Sequence, residues 1–521
     1  MWHRSVVFLI ILGSVFATSD RFVDPEIAAK FYFAMVAVPV GIIVLIFGFG
    51  KAAPASAVKK ITSLSALKCF FAVGVFQAVY GLGQYVGLCP LKNVAHPVLG
   101  SFDNPAGFAA VLSLLFPIGC YWFAKSRGHE KWLSFLMTAI VFASVCLSGS
   151  RTGILSLFVS MILTIAVGFR PSLNMLPHKK TLFALTFVVF LTVLFCLYRW
   201  RMDSANGRLL IWTVSNEMIK DRPLFGFGPN GFQAHYMDYQ ARYFQANPMS
   251  GFSQLADNVR HPFNEFVKIA VNYGITGLLA YLSLLLYIVW KILEKPLMQK
   301  NILLSVFAVF VLWSCFSYPM AYSTVLLLLA YFSLALFSDR FPPKKLSTIG
   351  KVAITGLCIT CSVYFYRMMS YEVAWKKVAM KSLNGQTEAM LPEYQKLYPR
   401  LRHNALFLYN YGAELNIGKR YAESAKILSE CRAFYNDYDI EMLMADNHYR
   451  LDNVDEAIQA YQYAADMIPC RFLPLFRQFE IHKRSGNAGL ATAIAQQMVN
   501  KSVKVRSPTV MAMVCEAKAY L

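Results

Sequence analysis

Apolar residues in this chain gather into long unbroken runs rather than onto one face of each helix. Eleven such runs stand out, at 5–18, 27–50, 61–86, 105–124, 131–147, 152–169, 181–198, 264–290, 301–318, 322–337 and 350–366. A helix that crosses hydrocarbon needs about 17–25 apolar residues, and most runs approach that length. The pattern predicts an all-α, polytopic membrane protein with about eleven spans. The first run is short, and the second carries Lys30 near its outer end. Ala17, Thr18 and Ser19 follow the first run as they would follow a signal peptide, but the many later spans favour an uncleaved first helix.

The loops between the runs alternate in charge. Lys51, Lys59 and Lys60 fill one, Lys125, Arg127 and Lys131 another, and Arg170, Lys179 and Lys180 a third. Lys291, Lys295 and Lys300, then Arg340, Lys344, Lys345 and Lys351, complete the series. These are every second loop, which places them on the cytoplasmic side. The N-terminus with Arg4 is then inside, and loops 19–26, 87–104, 148–151, 199–263 and 319–321 face outward. An odd number of spans puts residues 367–521 outside too.

Composition agrees with a membrane class: 57% of residues are hydrophobic and 15% charged. The formal net charge of +21 is explained by the inner loops, so it does not imply a nucleic-acid partner. Lys68 is one of few charges placed deep in a run, and no duplicated half is visible, which argues against a transporter.

Two domains are expected: a transmembrane domain over 1–366 with a large outer loop at 199–263, and an outer helical domain over 367–521. The tail repeats. Ala445, Ala457, Tyr461, Ala464 and Pro469 fall at the offsets of a tetratricopeptide unit, and a shift of about 33–34 residues reaches Gly412, Tyr421 and Ser424 behind and Ala491 ahead. This predicts an α-solenoid whose stacked helix pairs offer a concave surface to a partner protein. The eleven cysteines give no disulfide framework; most lie in apolar runs, while Cys431, Cys470 and Cys515 in the tail leave a bridge open.

Candidate chemistry collects at the outer ends of the runs. Ser148-Gly149-Ser150-Arg151-Thr152-Gly153 is a tight turn that lets backbone approach a ligand, with Arg151 at the membrane surface. Arg208 and Trp212 lie one helical turn apart early in the long loop. Two guanidinium groups suit a diphosphate, since each offers a planar fork of donors. Gly226-Phe227-Gly228-Pro229-Asn230-Gly231 fits a dinucleotide fingerprint in letters only, because no strand precedes it and no βαβ unit surrounds it; a Gly/Pro turn is expected. Arg260-His261-Pro262-Phe263-Asn264 runs into the eighth span and offers an imidazole at its lip. Glu265 and Lys268 stand at pairing distance, and Gly274 and Gly277 would allow close helix packing in lipid.

Taken together, these motifs resemble the O-antigen ligase and polymerase superfamily. The likeness covers about residues 100–340. It rests on Ser-Gly-Ser-Arg-Thr-Gly, Arg-x-x-x-Trp, Pro-Leu-Phe-Gly-Phe-Gly-Pro-Asn-Gly-Phe, and Asn264 with its spacing to Gly274 and Gly277-Leu278. The stretch Ser101-Phe102-Asp103-Asn104-Pro105 also looks like that family. The resemblance implies a GT-C-like helical membrane fold in a bacterial inner membrane. It implies transfer of a glycan from undecaprenyl diphosphate to an acceptor on the periplasmic side, with no cofactor and no metal. Arg151 and Arg208 match the arginines that hold the diphosphate. The family's histidine directly before the asparagine is Phe263 here, so His261, two residues upstream, is the candidate base. Ser150, Thr152, Trp212, Arg260 and Asn264 are the expected substrate-binding residues. The acceptor is expected to be lipid A–core, as for an O-antigen ligase; a protein hydroxyl, as for an O-linked oligosaccharyltransferase, is the alternative, ahead of a polymerase or a transporter.

Overall fold

A computed structural model describes residues 2–48, 63–91, 93–168, 202–337 and 347–521, with a few isolated positions between 188 and 199. The seventh expected span, 181–198, lies for the most part outside these residues. So do the loops carrying Lys51, Lys59 and Lys60, Arg170, Lys179 and Lys180, and Arg340, Lys344 and Lys345.

Every regular element among the described residues is a helix. The helices are α1 Trp2–Phe16, α2 Ile27–Gly48, α3 Leu64–Tyr85, α4 Pro105–Lys125, α5 Gly128–Leu147, α6 Arg151–Gly168, α7 Met202–Asp221, α8 Gly231–Ala246, α9 Glu265–Leu293 and α10 Leu297–Phe316. They continue as α11 Ser323–Leu336, α12 Thr348–Lys381, α13 Thr387–Leu401, α14 Ala405–Ile417, α15 Tyr421–Arg432, α16 Tyr438–Arg450, α17 Val454–Met467, α18 Leu473–Arg484, α19 Ala488–Asn500 and α20 Pro508–Tyr520. Seven of them are long and apolar enough to cross a membrane: α2, α3, α4, α5, α9, α10 and the helix that begins at Thr348. The apolar helices α1, α6 and α11 are shorter. Ten of the eleven apolar runs are therefore helical, and the chain is an integral membrane protein. Contacts divide it into two units, residues 1–200, 263–265 and 280–373 in the first, 201–262, 266–279 and 374–521 in the second.

The first unit is built around α4, which is buried from Gly107 to Gly119 and packs on α3, α5, α6, α10 and α11. Its start is fixed locally. Asn104 accepts the backbone N–H groups of Ala106 and Gly107, and Pro105 supplies a ready-set φ at the first helical position. Two lysines expected to be awkward in lipid are satisfied. The Lys30 ammonium donates to the carbonyls of Ala17 at 2.9 Å and Ser101 at 2.8 Å and lies over the Phe102 ring. Lys68 is not deep: it sits in the second turn of α3, paired with Glu130 at 2.5 Å and placed over the Trp122 ring.

The second unit joins the long loop to the tail. Helices α14 to α19 form three consecutive antiparallel pairs, each closed by small residues. Ala445, Ala457, Ala464 and Ala491 are fully buried, and Tyr461 fills the space between α16 and α17. Ser424 donates to the carbonyl of Gly412 at 2.7 Å, tying α15 to α14. These residues are among those singled out in the sequence. Against this stack, the loop is held by buried polar contacts. Gln240 donates to Met467 O at 2.7 Å, and Asn436 donates to Asp238 and, through its N–H, to Gln233 O. The Cys470 thiol reaches Ala256 O, and the Cys431 thiol reaches Ala405 O. Both cysteines are free, as is the exposed Cys515, so the tail carries no bridge among the three.

Candidate functional site

In the first unit, the turn between α5 and α6 places Arg151 as the first residue of α6. Gly149 turns the chain, and the Ser150 hydroxyl accepts the N–H of Gly153 at 3.2 Å. Ser150 therefore caps the helix. Thr152 is buried at 8% exposure, and its carbonyl accepts the Ser156 hydroxyl. Of the three, Arg151 is the residue whose side chain is half-exposed and long enough to meet a ligand. A cation at a helix N-terminus opposes the helix dipole, which carries about +0.5 charge there. Such a placement is unfavourable for folding and favourable for binding an anion.

Phe263, Asn264 and Glu265 also belong to this unit. Phe263 holds φ +53°, a left-handed conformation costly for a bulky residue, with its ring edge-on to Tyr318 at 5.4 Å. Asn264 directly precedes α9. Glu265 is almost fully buried and accepts the N–H of Met320 at 3.0 Å, so it secures the turn before α11. The sequence had suggested only an ion pair with Lys268 for it.

In the second unit, α7 carries Arg208 and Trp212 one turn apart, both half-exposed. The Trp212 indole N–H donates to the carbonyl of Pro262 at 2.9 Å. Its hydrogen-bonding group is thus committed to the backbone of Pro262, the residue after His261. Arg260 donates to the Tyr435 hydroxyl at 3.2 Å and stacks over the same ring. His261 is half-buried. Burial, then the positive charges of Lys268 and Arg260, pull its imidazole down to about 4, so it is neutral at neutral pH.

His261 opens on a cleft of about 420 Å³ lined by Asn230, Gln233, Arg260, His403, Asn404, Ala405, Leu406, Phe434 and Tyr435. Loop and tail residues line it together. His403, Phe434 and Tyr435 were missed by sequence reading, because the tail has no motif that points at a loop two hundred residues away.

The glycine-rich turn has a structural task. Phe227 and Gly228 donate to the carbonyls of Val271 and Asn272 at 3.0 and 2.8 Å, and Ile275 donates back to Pro223 O at 2.8 Å. This pairing requires α9 to break at Gly274, which holds φ +64° and ψ −165°. Gly274 is therefore a docking break for the turn, not the helix-packing seam expected from its spacing to Gly277. The Asn272 side chain, buried inside the same apolar run, accepts the Phe232 N–H at 2.9 Å. A polar residue two positions before a glycine within that run was the signal for it.

No protein of curated function matches the chain. Residues 133–282, which include Arg151, Arg208, the glycine-rich turn, His261 and the break at Gly274, match the family described as O-antigen ligase. The chain is thus an integral membrane protein that carries an O-antigen ligase family domain at residues 133–282.

Proposed function

We propose that this protein transfers a glycan from undecaprenyl diphosphate to an acceptor hydroxyl on the periplasmic face of the bacterial inner membrane, as an O-antigen ligase acting on lipid A–core. The observation that carries the reading is the family match over the stretch that holds every candidate residue. Arg151, at the positive end of α6, and Arg208 bind the carrier diphosphate. They stabilise the charge that grows on it as it leaves. The acceptor oxygen attacks the anomeric carbon from the opposite face as the bond from that carbon to the diphosphate oxygen breaks. The acceptor proton passes to His261, and undecaprenyl diphosphate is released with inversion at the sugar.

A histidine pulled down to about 4 is a weak base. Docking of a diphosphate reverses this, because a nearby anion favours the imidazolium. The base is then strengthened only when the donor is present. Trp212 holds Pro262 and so sets the reach of His261. Ser150 and Thr152 shape the Arg151 turn, while Arg260 and Asn264 border the acceptor.

In this reading the long loop and the tail, which pack into one unit, both lie on the periplasmic side. The repeats in the tail are read as a tetratricopeptide-like solenoid that recruits a protein partner.

Glycan profiling of a deletion strain complemented with wild type, Arg151→Ala or Arg208→Ala tests the function. Loss of long lipopolysaccharide in the deletion and in both variants, with normal protein levels, is expected. Loss of glycoprotein with normal lipopolysaccharide would instead indicate an oligosaccharyltransferase. Wild-type glycan attachment in both variants overturns the proposal.

A further inference from the structure

The cleft beside His261 has a chemistry of its own. Its polar lining is made of amides, imidazoles, one guanidinium and the Tyr435 phenol, and no carboxylate lines it. Phe434 is half-exposed, and His403 packs edge-on to it at 5.8 Å and 88°, which fixes the ring as a flat platform. The Gln233 side-chain oxygen is buried without a hydrogen-bond partner. A buried acceptor left unmade costs about 1–3 kcal/mol, so a ligand that brings a donor to it is favoured. The Asn404 oxygen is occupied by the N–H groups of Leu406 and Phe407. What Asn404 can still offer is its NH2.

The cleft thus presents one aromatic face, an acceptor at Gln233 and donors at Asn404 and Arg260. A pyranose matches this set: its C–H face is apolar, and each of its ring hydroxyls both donates and accepts. The volume of about 420 Å³ suits one small ligand rather than a length of polypeptide. A peptide bound by strand addition would also need a sheet edge, and the described residues contain no strand.

We propose that this cleft is a saccharide subsite in which a sugar of the acceptor stacks on Phe434 and bonds Gln233 and Asn404, next to His261. The tail then contributes to acceptor recognition directly, in addition to recruiting any protein partner. The word acceptor rests on the glycan-transfer reading; binding of a saccharide does not.

The test uses the full-length protein in lipid nanodiscs and, as probe, core oligosaccharide freed from lipid A by mild acid. Binding is followed by saturation-transfer NMR and calorimetry. Wild type is expected to bind, Phe434→Ala and Gln233→Leu to bind about tenfold more weakly, and Phe434→Trp to retain binding. Lys518→Ala, far along the tail in α20, serves as control and is expected to match wild type. No binding by wild type, or equal binding by wild type, Phe434→Ala and Gln233→Leu, overturns the subsite. So does displacement of the probe by a serine-containing peptide that needs Phe434 equally. Glycan transfer measured on the same preparations separates the two readings. Phe434-dependent binding without transfer leaves the subsite standing and removes its acceptor role; transfer with Phe434-independent binding removes the subsite alone.

Discussion

Gly226 and Gly274 interlock across two separate stretches of chain. Both hold positive φ, +66° and +64°, and a Cβ on either would run into backbone of the other's segment: the Val271 and Asn272 carbonyls for Gly226, the Leu224 carbonyl for Gly274. Backbone cannot step aside as a flexible side chain can. Gly226→Ala or Gly274→Ala should therefore cost about 1–3 kcal/mol from the left-handed conformation alone, with the collision added. Thermal unfolding in detergent is expected to fall clearly for both. Gly489→Ala, where nothing lies within contact of the new methyl, should match or slightly exceed wild type because alanine favours helix. Equal unfolding temperatures for all three would refute the interlock.

Titration of His261 gives a signed prediction. Its imidazole lies at about 4 in the folded chain, against 6.5 when unperturbed. A depressed pKa contributes stability that is present above 6.5 and is lost as pH falls from 6.5 through 4, since the unfolded chain takes up the proton first. Replacing His261 with Gln should flatten that part of the stability profile. In activity, kcat/KM reports the free enzyme and its acid limb should lie near 4. The limb of kcat should lie higher, because the bound diphosphate raises the imidazole. Coincident limbs near 6.5 would show that His261 is not the titrating base.

Trp212 offers a milder lesion. Trp212→Phe keeps an aromatic ring but leaves the Pro262 carbonyl without its donor. A lost neutral hydrogen bond is worth about 0.5–1.5 kcal/mol, a few-fold to tenfold in rate. The loss should appear in kcat with KM little changed, because the bond positions His261 and does not hold substrate. A rise in KM alone would move Trp212 to the ligand.

Arg151→Lys separates charge from geometry. Lysine keeps the positive charge at the start of α6 but lacks the planar fork that matches phosphate oxygens. Transfer should fall about tenfold to a hundredfold for Arg151→Lys and further, about a hundredfold to a thousandfold, for Arg151→Ala. Assay with purified carrier-linked glycan measures both. Equal activity in the two variants would show that the fork is irrelevant.

Much of the fold was legible because membrane helices announce themselves by run length, and the ten runs among the described residues are helices. In the tail, Ala445, Ala457 and Tyr461, singled out in the sequence for their spacing, share one buried cluster. The site was legible as motifs and illegible as contacts. Nothing in Trp212 names Pro262 as its partner, since the bond spans fifty residues of loop. Gly274 looked like lipid packing because a G-x-x-G spacing carries that meaning in a continuous helix, while its positive φ becomes visible only with the turn docked on it. The cleft lining at His403 and Phe434 depends on tertiary contact between loop and tail, which no local pattern encodes.

The side of the membrane is open to a direct measurement through Cys515. It is exposed on α20 of the tail, whereas Cys431 and Cys470 are buried, and the remaining cysteines precede the tail. A variant with every other cysteine replaced by alanine or serine leaves one reporter thiol. If the tail is periplasmic, a membrane-impermeant maleimide should label Cys515 in spheroplasts with intact inner membranes, and to the same extent after lysis. Because loop and tail pack into one unit, the result fixes the face of His261 and Arg208 as well. Labelling that appears only after lysis would put both on the cytoplasmic side and overturn the reading of a periplasmic transferase.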